Sequence, residues 1–398
     1  MNRKLYFGCL LLALIALTAA PTLAQDEFVF GLVLVGPEND HGWSQAHYEG
    51  GLYVEESVPG TRMLFFPSLN PADNPQSTLQ DVVGEMVDQG AQLIFTTSDE
   101  FQNDTDPVAE AFPDVTFVNI SGDHALTGDA PANVANLMGM MEWSKLIAGC
   151  AAGMATETGS IGYLGPLINN ETRRLASSAF LGARYCYEHY KGGNPEDLTF
   201  TVTWIGFWFN IPGVTLDPTE ETNTFFDGGA DVVISGIDTT EAIVVAGQRA
   251  AQGEAVFAVP YDFQGACDEA PDVCLGVPFF HWGPSYANIV QSVMDGTWEQ
   301  TWLWTAPDWE GDAIADDSDV GFAKGGALTE AQSTNLDEFI GWLGGYSTNP
   351  LVPASFALWN GPLNLQDGTQ LAADGQIVPL LDVWYLTQLL EGMTGASS

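Results

Sequence analysis

Aromatic side chains recur in this sequence where a predicted strand gives way to a predicted helix: Trp43, Phe101, Trp204 with Phe207, Trp208 and Phe209, and Tyr261 with Phe263. Ligands of open α/β sheets bind outside the carboxyl ends of the strands, and two facing indoles can sandwich a planar heteroaromatic ring. Trp43 and Trp208 stand beside polar residues or glycine, which suits contact with a ligand better than a place in an apolar core. Polar groups accompany them. Asn39 and Asp40 precede Trp43; Thr97, Ser98 and Asp99 end a predicted strand; Asp238 follows Val232-Val-Ile-Ser-Gly236; and Asp262 follows Tyr261. A carboxylate accepts hydrogen bonds from ring N–H, amine or hydroxyl donors, so several of them facing one cleft suit a neutral ligand rich in donors. Each of these groups also stands where it can cap the free amides of the next helix, and the sequence leaves both roles open.

Other chemistries lack their residues. There is no GxSxG elbow, no P-loop and no GxGxxG, and Gly159-Ser-Ile-Gly162-Tyr-Leu-Gly165 has the wrong spacing for a dinucleotide loop. The five histidines are scattered and no CxxC occurs, so no metal site is predicted; Asp316-Asp-Ser-Asp-Val-Gly321 lacks the downstream glutamate of a calcium loop. A binding protein without cofactor or catalysis is therefore expected. The balance of 52 acidic to 10 basic residues gives a net charge of −42 with no cluster of Lys and Arg, which argues against nucleic acid and anionic membranes as partners. A chain of 398 residues that is 46% hydrophobic is not disordered and is long enough for two lobes.

The elements that must position these residues alternate. Phe28 to Val35 is an unbroken apolar run, as in a strand buried on both faces. Met63 to Phe66, Leu93 to Thr97 and Val115 to Ile120 read as further strands, with helices through Glu55, over Thr78 to Gln89 and over Asp106 to Phe112. A long helix is predicted from Asn136 to Thr156. Strands at Ile161–Leu164, Phe200–Trp204, Asp231–Ser235 and Ala255–Val259 then alternate with helices at Glu171–Tyr190, Pro218–Asp227 and Thr240–Gln252. Two tandem α/β halves with parallel sheets follow from this order. Beyond Leu275 the reading is a helix over Pro284–Gly296, an acidic loop over Pro307–Gly326, a helix over Glu330–Leu343, short strands around Asp367-Gly368 and Asp374-Gly375, and an apolar helix over Leu380–Met393.

Residues 1–24 read as an export signal: Arg3 and Lys4, an apolar run from Leu5 to Leu17, and small residues over Ala20 to Ala24. A periplasmic or extracellular, envelope-associated protein is expected, with no later membrane span. Cys9 stands too early for a lipid anchor. In an oxidising compartment Cys267 and Cys274 are expected to form a disulfide, whereas Cys150 and Cys186 fit either a bond between neighbouring helices or two buried thiols.

Gly36-Pro-Glu-Asn-Asp-His-Gly-Trp-Ser44 with Gln45-Ala-His-Tyr-Glu-Gly50, Leu93-Ile-Phe-Thr-Thr-Ser98, Ala111-Phe-Pro-Asp-Val115, Trp204 to Phe209, Gly229-Ala-Asp-Val-Val233, Trp282-Gly-Pro-Ser-Tyr286, Asp295-Gly-Thr-Trp298 and Trp359-Asn-Gly-Pro362 with Asp367-Gly368 together resemble the basic membrane protein family. That family supplies the substrate-binding proteins of ABC importers for purine nucleosides and related compounds. The resemblance runs through nearly all of the sequence after residue 24. It implies a type I periplasmic-binding fold, α/β, with two Rossmann-like lobes joined by three crossovers: residues 25–135 and 276–305 in one lobe, 136–275 and 306–398 in the other. It implies that Trp43 and Trp208 hold a base between them and that Asp262 and Asp238 take a polar edge. A permease in the membrane is the implied partner, and a monomer is expected. Nucleoside-binding members keep a lysine just after the second-lobe strands to hold ribose. Here Val277-Pro-Phe-Phe-His-Trp-Gly-Pro284 has none, and the lysines after the signal are Lys145, Lys191 and Lys324. Phe280, His281 and Trp282 stand in that stretch, so Trp282 joins the expected ligand contacts, and a free purine base is expected to bind more tightly than its nucleoside. The alternatives are a nucleoside, riboflavin or sugar on the same fold, a receptor-linked sensor of that fold, or a secreted nucleoside or glycan hydrolase.

Overall fold

The structure, a computed structural model, describes residues 27–398; residues 1–24, read from the sequence as an export signal, with Arg3, Lys4 and Cys9, lie outside the described residues. The chain starts with β1 (Phe28–Leu34), every residue of which is buried, and continues through α1 (Trp43–Ser57), β2 (Thr61–Phe66), α2 (Leu79–Asp88), β3 (Ala91–Thr97), α3 (Gln102–Ala111), β4 (Thr116–Asn119), α4 (His124–Thr127) and β5 (Val134–Gly139). The second half runs α5 (Met141–Ala155), β6 (Ser160–Gly165), α6 (Asn170–His189), β7 (Thr199–Trp204), α7 (Pro218–Asp227), β8 (Val232–Ser235), α8 (Glu241–Ala250) and β9 (Phe257–Val259). After these come β10 (Gly276–Phe280), α9 (Gly283–Met294), β11 (Trp302–Thr305), β12 (Trp309–Glu310), β13 (Ala313–Ile314), β14 (Val320–Lys324), α10 (Glu330–Ser347), β15 (Leu363–Asn364), β16 (Gln370–Ala372), α11 (Leu380–Trp384) and β17 (Met393–Thr394).

Two parallel sheets result. The first has the order β11-β5-β4-β3-β1-β2, the second β17-β7-β6-β8-β9. Strand β11 returns to the first sheet beside β5 and β17 to the second beside β7, so the C-terminal quarter is shared between the lobes. The chain passes between them at Gly139–Met141, between β10 and α9, and after β11. Strands β10 and β14 pair antiparallel, Val277 opposite Ala323, and form a two-stranded ribbon where a loop was expected.

Two predicted helices are corrected. Asn136–Gly139, read as the start of a long helix, belongs instead to the strand Val134–Gly139, all six residues of which are buried. A short apolar run buried on both faces has no period of its own, so its sequence matches either element. The final helix covers only Leu380–Trp384, and the chain then turns to place Met393 and Thr394 beside β7.

Helix α5 is buried along its whole length and packs against α6 so closely that Gly149, Gly153 and Gly182 face backbone atoms of the opposing helix, leaving no room for a Cβ. Cys150 and Cys186 are bonded across this contact. This pair of helices anchors the second lobe beside the hinge.

Candidate functional site

Trp43 is the first residue of α1, and its place is set from two sides. Its indole Nε1 donates to Thr97 O at 2.7 Å, at the end of the neighbouring strand. Its ring stands edge-on to His47, Phe280 and Trp282, with centroids 4.5, 5.3 and 5.6 Å away. Those three form a buried stack, with Trp282 between Phe280 and His47 at 4.5 and 4.6 Å. His47 Nδ1 meets Tyr286 Oη at 2.6 Å, and burial holds the imidazole well below its usual pKa, so it is neutral. Trp43 therefore rests on a rigid aromatic base.

Trp208 comes from the other lobe, in the loop that follows β7. That loop is folded back on itself by Leu216 N donating to Ile205 O at 2.9 Å, and Trp208 O accepts from Asp238 N at 3.0 Å. The two indoles line one cavity of about 310 Å³ together with Ser98, Asp99, Ser121, Glu171, Asp238 and Tyr261. Burial pushes the carboxyls of Asp99, Glu171 and Asp238 upward, Glu171 to about 7. Arg174 opposes this at Glu171, 3.7 Å away, although its guanidinium is committed to Glu142 at 2.5 Å. The walls are two aromatic faces and a set of carboxyls that burial biases toward their proton-bearing forms.

The remaining predicted residues have other surroundings. Asp40 accepts from the backbone N–H groups of Gly42, Ser44 and Gln45, each at 2.9 Å, so its carboxylate caps the start of α1. Asn39 is exposed and does not line the cavity. Thr97 is buried, with Oγ1 donating to Val33 O, and reaches the site only through its carbonyl. Trp282 is wholly buried behind Trp43, and Asp262 is wholly buried beside the cavity wall. Cys267 and Cys274 are bonded.

Glu171 and Ser121 were not among the predicted contacts, and Tyr261 was named only as one of the strand-end aromatics. Tyr261 ends a strand-to-helix turn as the other aromatics do. Glu171 lies in the capped first turn of α6, where Asn169 and Thr172 form a capping box, and no aromatic neighbour marked that turn. Ser121 Oγ, from the first lobe, donates to Glu171 Oε2, from the second, at 2.9 Å.

Contacts of this kind close the cleft. His41 Nδ1 lies 2.5 Å from Glu269 Oε1, Asn169 Nδ2 donates to Asp99 Oδ2 at 3.4 Å, and Gly42 sits directly against the Asp238 carbonyl.

Residues 28–207 match the family described as Bmp, the PnrA-like ABC transporter substrate-binding proteins. Over these residues the chain is similar to that family. It is 26% identical to a purine-binding protein of Brucella abortus over 365 residues, 89% of each chain. It is 28% identical over 272 residues to TsgA13 of Haloferax volcanii, which carries the name of an ABC transporter glucose-binding protein, covering 68% of this chain and 62% of that one. An ABC transporter solute-binding protein of Conexibacter woesei superposes with a TM-score of 0.58 at 18% identity, over 83% of this chain and 99% of its own. A transcriptional activator of the comK gene from Bacillus halodurans superposes with a TM-score of 0.59 at 18% identity, over 82% and 99%. These likenesses show the type I periplasmic-binding-protein fold. The matched family is one of ABC transporter substrate-binding proteins, which bind a small molecule and serve a membrane permease. Among the described residues no helix is long and apolar enough to cross a membrane.

Proposed function

We propose that this protein is a substrate-binding protein of the Bmp type that captures a purine base between Trp43 and Trp208 and presents it, in a closed two-lobed complex, to an ABC permease. The observation that carries this reading is that two indoles from opposite lobes line one cavity with Asp99, Glu171 and Asp238. Two aromatic stacks contribute about 0.5–1.5 kcal/mol each beyond area burial, and the acids supply partners for ring N–H and amine groups. The name of the Brucella abortus relative supports the same ligand class. The space between the two indoles is small and tightly lined, which favours a base over its nucleoside. Closure follows from ligand contacts made by both lobes, without turnover of the ligand. The first lobe ends at Gly139 and takes back β11, while the second runs from Met141 and takes back β17. We read the protein as an exported monomer.

A second reading, a sugar ligand, has its own observation. A chamber of about 470 Å³ shares Asp99, Ser121 and Glu171 with the first cavity and adds Asn169, Asn170 and Trp384, a polar wall with one indole. Calorimetric titration with adenine, guanine, hypoxanthine, their nucleosides and glucose separates the two. Purine bases are expected to bind at micromolar Kd or tighter, about −8 kcal/mol. Heat with glucose and none with purines would establish the sugar reading instead, and free base released from a nucleoside would show a hydrolase.

A further inference from the structure

Lys145 lies on α5, just past the crossover from the first lobe, and is wholly buried. Lys191 and Lys324 are tied to Glu157 and Asp337 at the surface. Lys145 instead has one hydrogen-bond acceptor among the described residues, Ser235 O at 2.8 Å, at the end of β8. Its ammonium stands 3.3 Å from the centre of the Tyr261 ring and 5.6 Å from that of Tyr163. An ammonium over a phenol face is attracted by the ring quadrupole, more strongly when both are out of water. Tyr261 is part of the cavity wall. The next residue, Asp262, has φ of 71°, no exposure, and neither carboxylate oxygen hydrogen-bonded among the described residues. A buried carboxylate without donors is costly, and Lys145 is the cation that offsets the cost.

We propose that Lys145 is a positioning residue for ligand capture: its charge, delivered from the helix that begins at the hinge, holds Tyr261 in the cavity wall and offsets part of the cost of burying the Asp262 carboxyl beside it. This rests on the reading of the cavity as a purine site, and it places the cation of the site on α5 rather than after the second-lobe strands. The charge is sensitive to pH, because burial brings the ammonium down to about 7 against the pull of Asp262. The groups that face it are Tyr163 on β6, Tyr261 and Asp262 after β9, and Asp238 after β8; Glu171 on α6 and Asp40 before α1 act on the same acids. Strand β10, also packed on α5, brings no titratable side chain, and β14 and α10 bring Lys324 and Asp337, which pair with each other. Burial pushes both tyrosines up, away from the neutral range.

The experiment has a ligand-free arm and a ligand arm. In the ligand-free full chain, with carbon-13 at the lysine methylene beside Nζ, the Lys145 signal is expected to titrate between about pH 6 and 8 while the surface lysines stay constant. The Tyr261 ring signals should move with it. A Lys145 signal that moves only with Lys191 and Lys324, or a Tyr261 ring that stays fixed while Lys145 titrates, would overturn the proposal. With adenine as probe, wild-type affinity should be about tenfold weaker at pH 8.5 than at pH 6.5. Lys145→Met should bind more weakly at both and lose that difference. Lys145→Arg, which cannot lose its charge, should keep at pH 8.5 the affinity it has at pH 6.5. A methionine variant with wild-type affinity and wild-type pH dependence refutes the role of Lys145 alone. A wild-type protein that binds no purine refutes the purine reading, and the ligand-free spectra then decide the role of Lys145.

Discussion

Trp43 is held by a hydrogen bond at one edge and by the His47–Trp282–Phe280 stack along another, so its orientation is set without a ligand. Trp208 is fixed by the second lobe through its carbonyl and the Asp238 amide. If both faces clamp one ring, Trp43→Ala and Trp208→Ala should each weaken purine binding by about 1–3 kcal/mol, the range for a base stacked on an aromatic side chain. Calorimetry reads the loss, and tryptophan emission of the wild type should change on binding; two variants with unaltered affinity would remove the sandwich. The carboxylates show how far residue types can be read from sequence. Asp40, Asp99 and Asp238 all stand just past a strand, yet Asp40 spends its oxygens on three amides of α1 while Asp99 and Asp238 reach the cavity. Capping and ligand contact use the same residue at the same turn, and only the path of the backbone separates them. Trp282 shows the converse, a residue in the ribose-anchor stretch whose ring stabilises Trp43 from behind.

At the scale of elements, the loop between β1 and α1 meets the turns after β8 and β9. Gly42 lies so near the Asp238 carbonyl that any Cβ would overlap it, and the adjacent His41 reaches Glu269 in the turn closed by the Cys267–Cys274 bond. Gly42→Ala should therefore hinder closure. The overlap is with the other lobe, so the first lobe should fold as before. We expect purine affinity at least about tenfold weaker, or about 1.4 kcal/mol, with little change in thermal unfolding of the ligand-free protein. Affinity equal to wild type would show that the lobes close without this contact. The strands and helices of both halves were legible because apolar runs and amphipathic stretches alternate from Phe28 to Val259. The parts that were not legible depend on distant partners. Val134–Gly139 is a strand because β4 and β11 flank it, and β10 becomes half of a ribbon because β14 returns from more than forty residues later to pair with it. The Leu380–Met393 stretch reads as a helix by its apolar content, but Met393 is drawn to the edge of β7 and Gly392 takes φ of 95°, which ends any helix before it.

For the whole molecule, the charge of −42 and the buried acids of the cleft act in the same direction. Asp99, Glu142, Glu171, Asp238, Asp262 and Asp319 all have carboxyls pushed up by burial. A group whose folded pKa lies above its unfolded value binds its proton more tightly in the folded protein. Its contribution to stability is complete below the unfolded pKa and is lost as the pH rises through the folded one. For Glu171 that window runs from 4.5 to about 7, and the displacement corresponds to roughly 3 kcal/mol. His47 works the other way over part of this range, because its lowered pKa makes the folded state release a proton that the unfolded chain holds below 6.5. Lys145 does the same above about 7, where its lost charge relieves a burial cost. Six acids outweigh one imidazole, and self-repulsion among the surface carboxylates grows over the same interval. The ligand-free protein should therefore have its highest Tm on the acid side, with Tm falling as pH rises from about 5 to 7.5 and levelling off above. Added salt should raise Tm more at pH 7.5 than at pH 5, since screening acts on exposed charges at separations near or beyond the Debye length of about 8–10 Å. Calorimetric scans across this range in low and high salt provide the check. A Tm that climbs from pH 5 to 7.5 would mean that the cleft acids are ionised in the folded protein, and the proton-bearing acceptors assigned to the cavity would then be wrong.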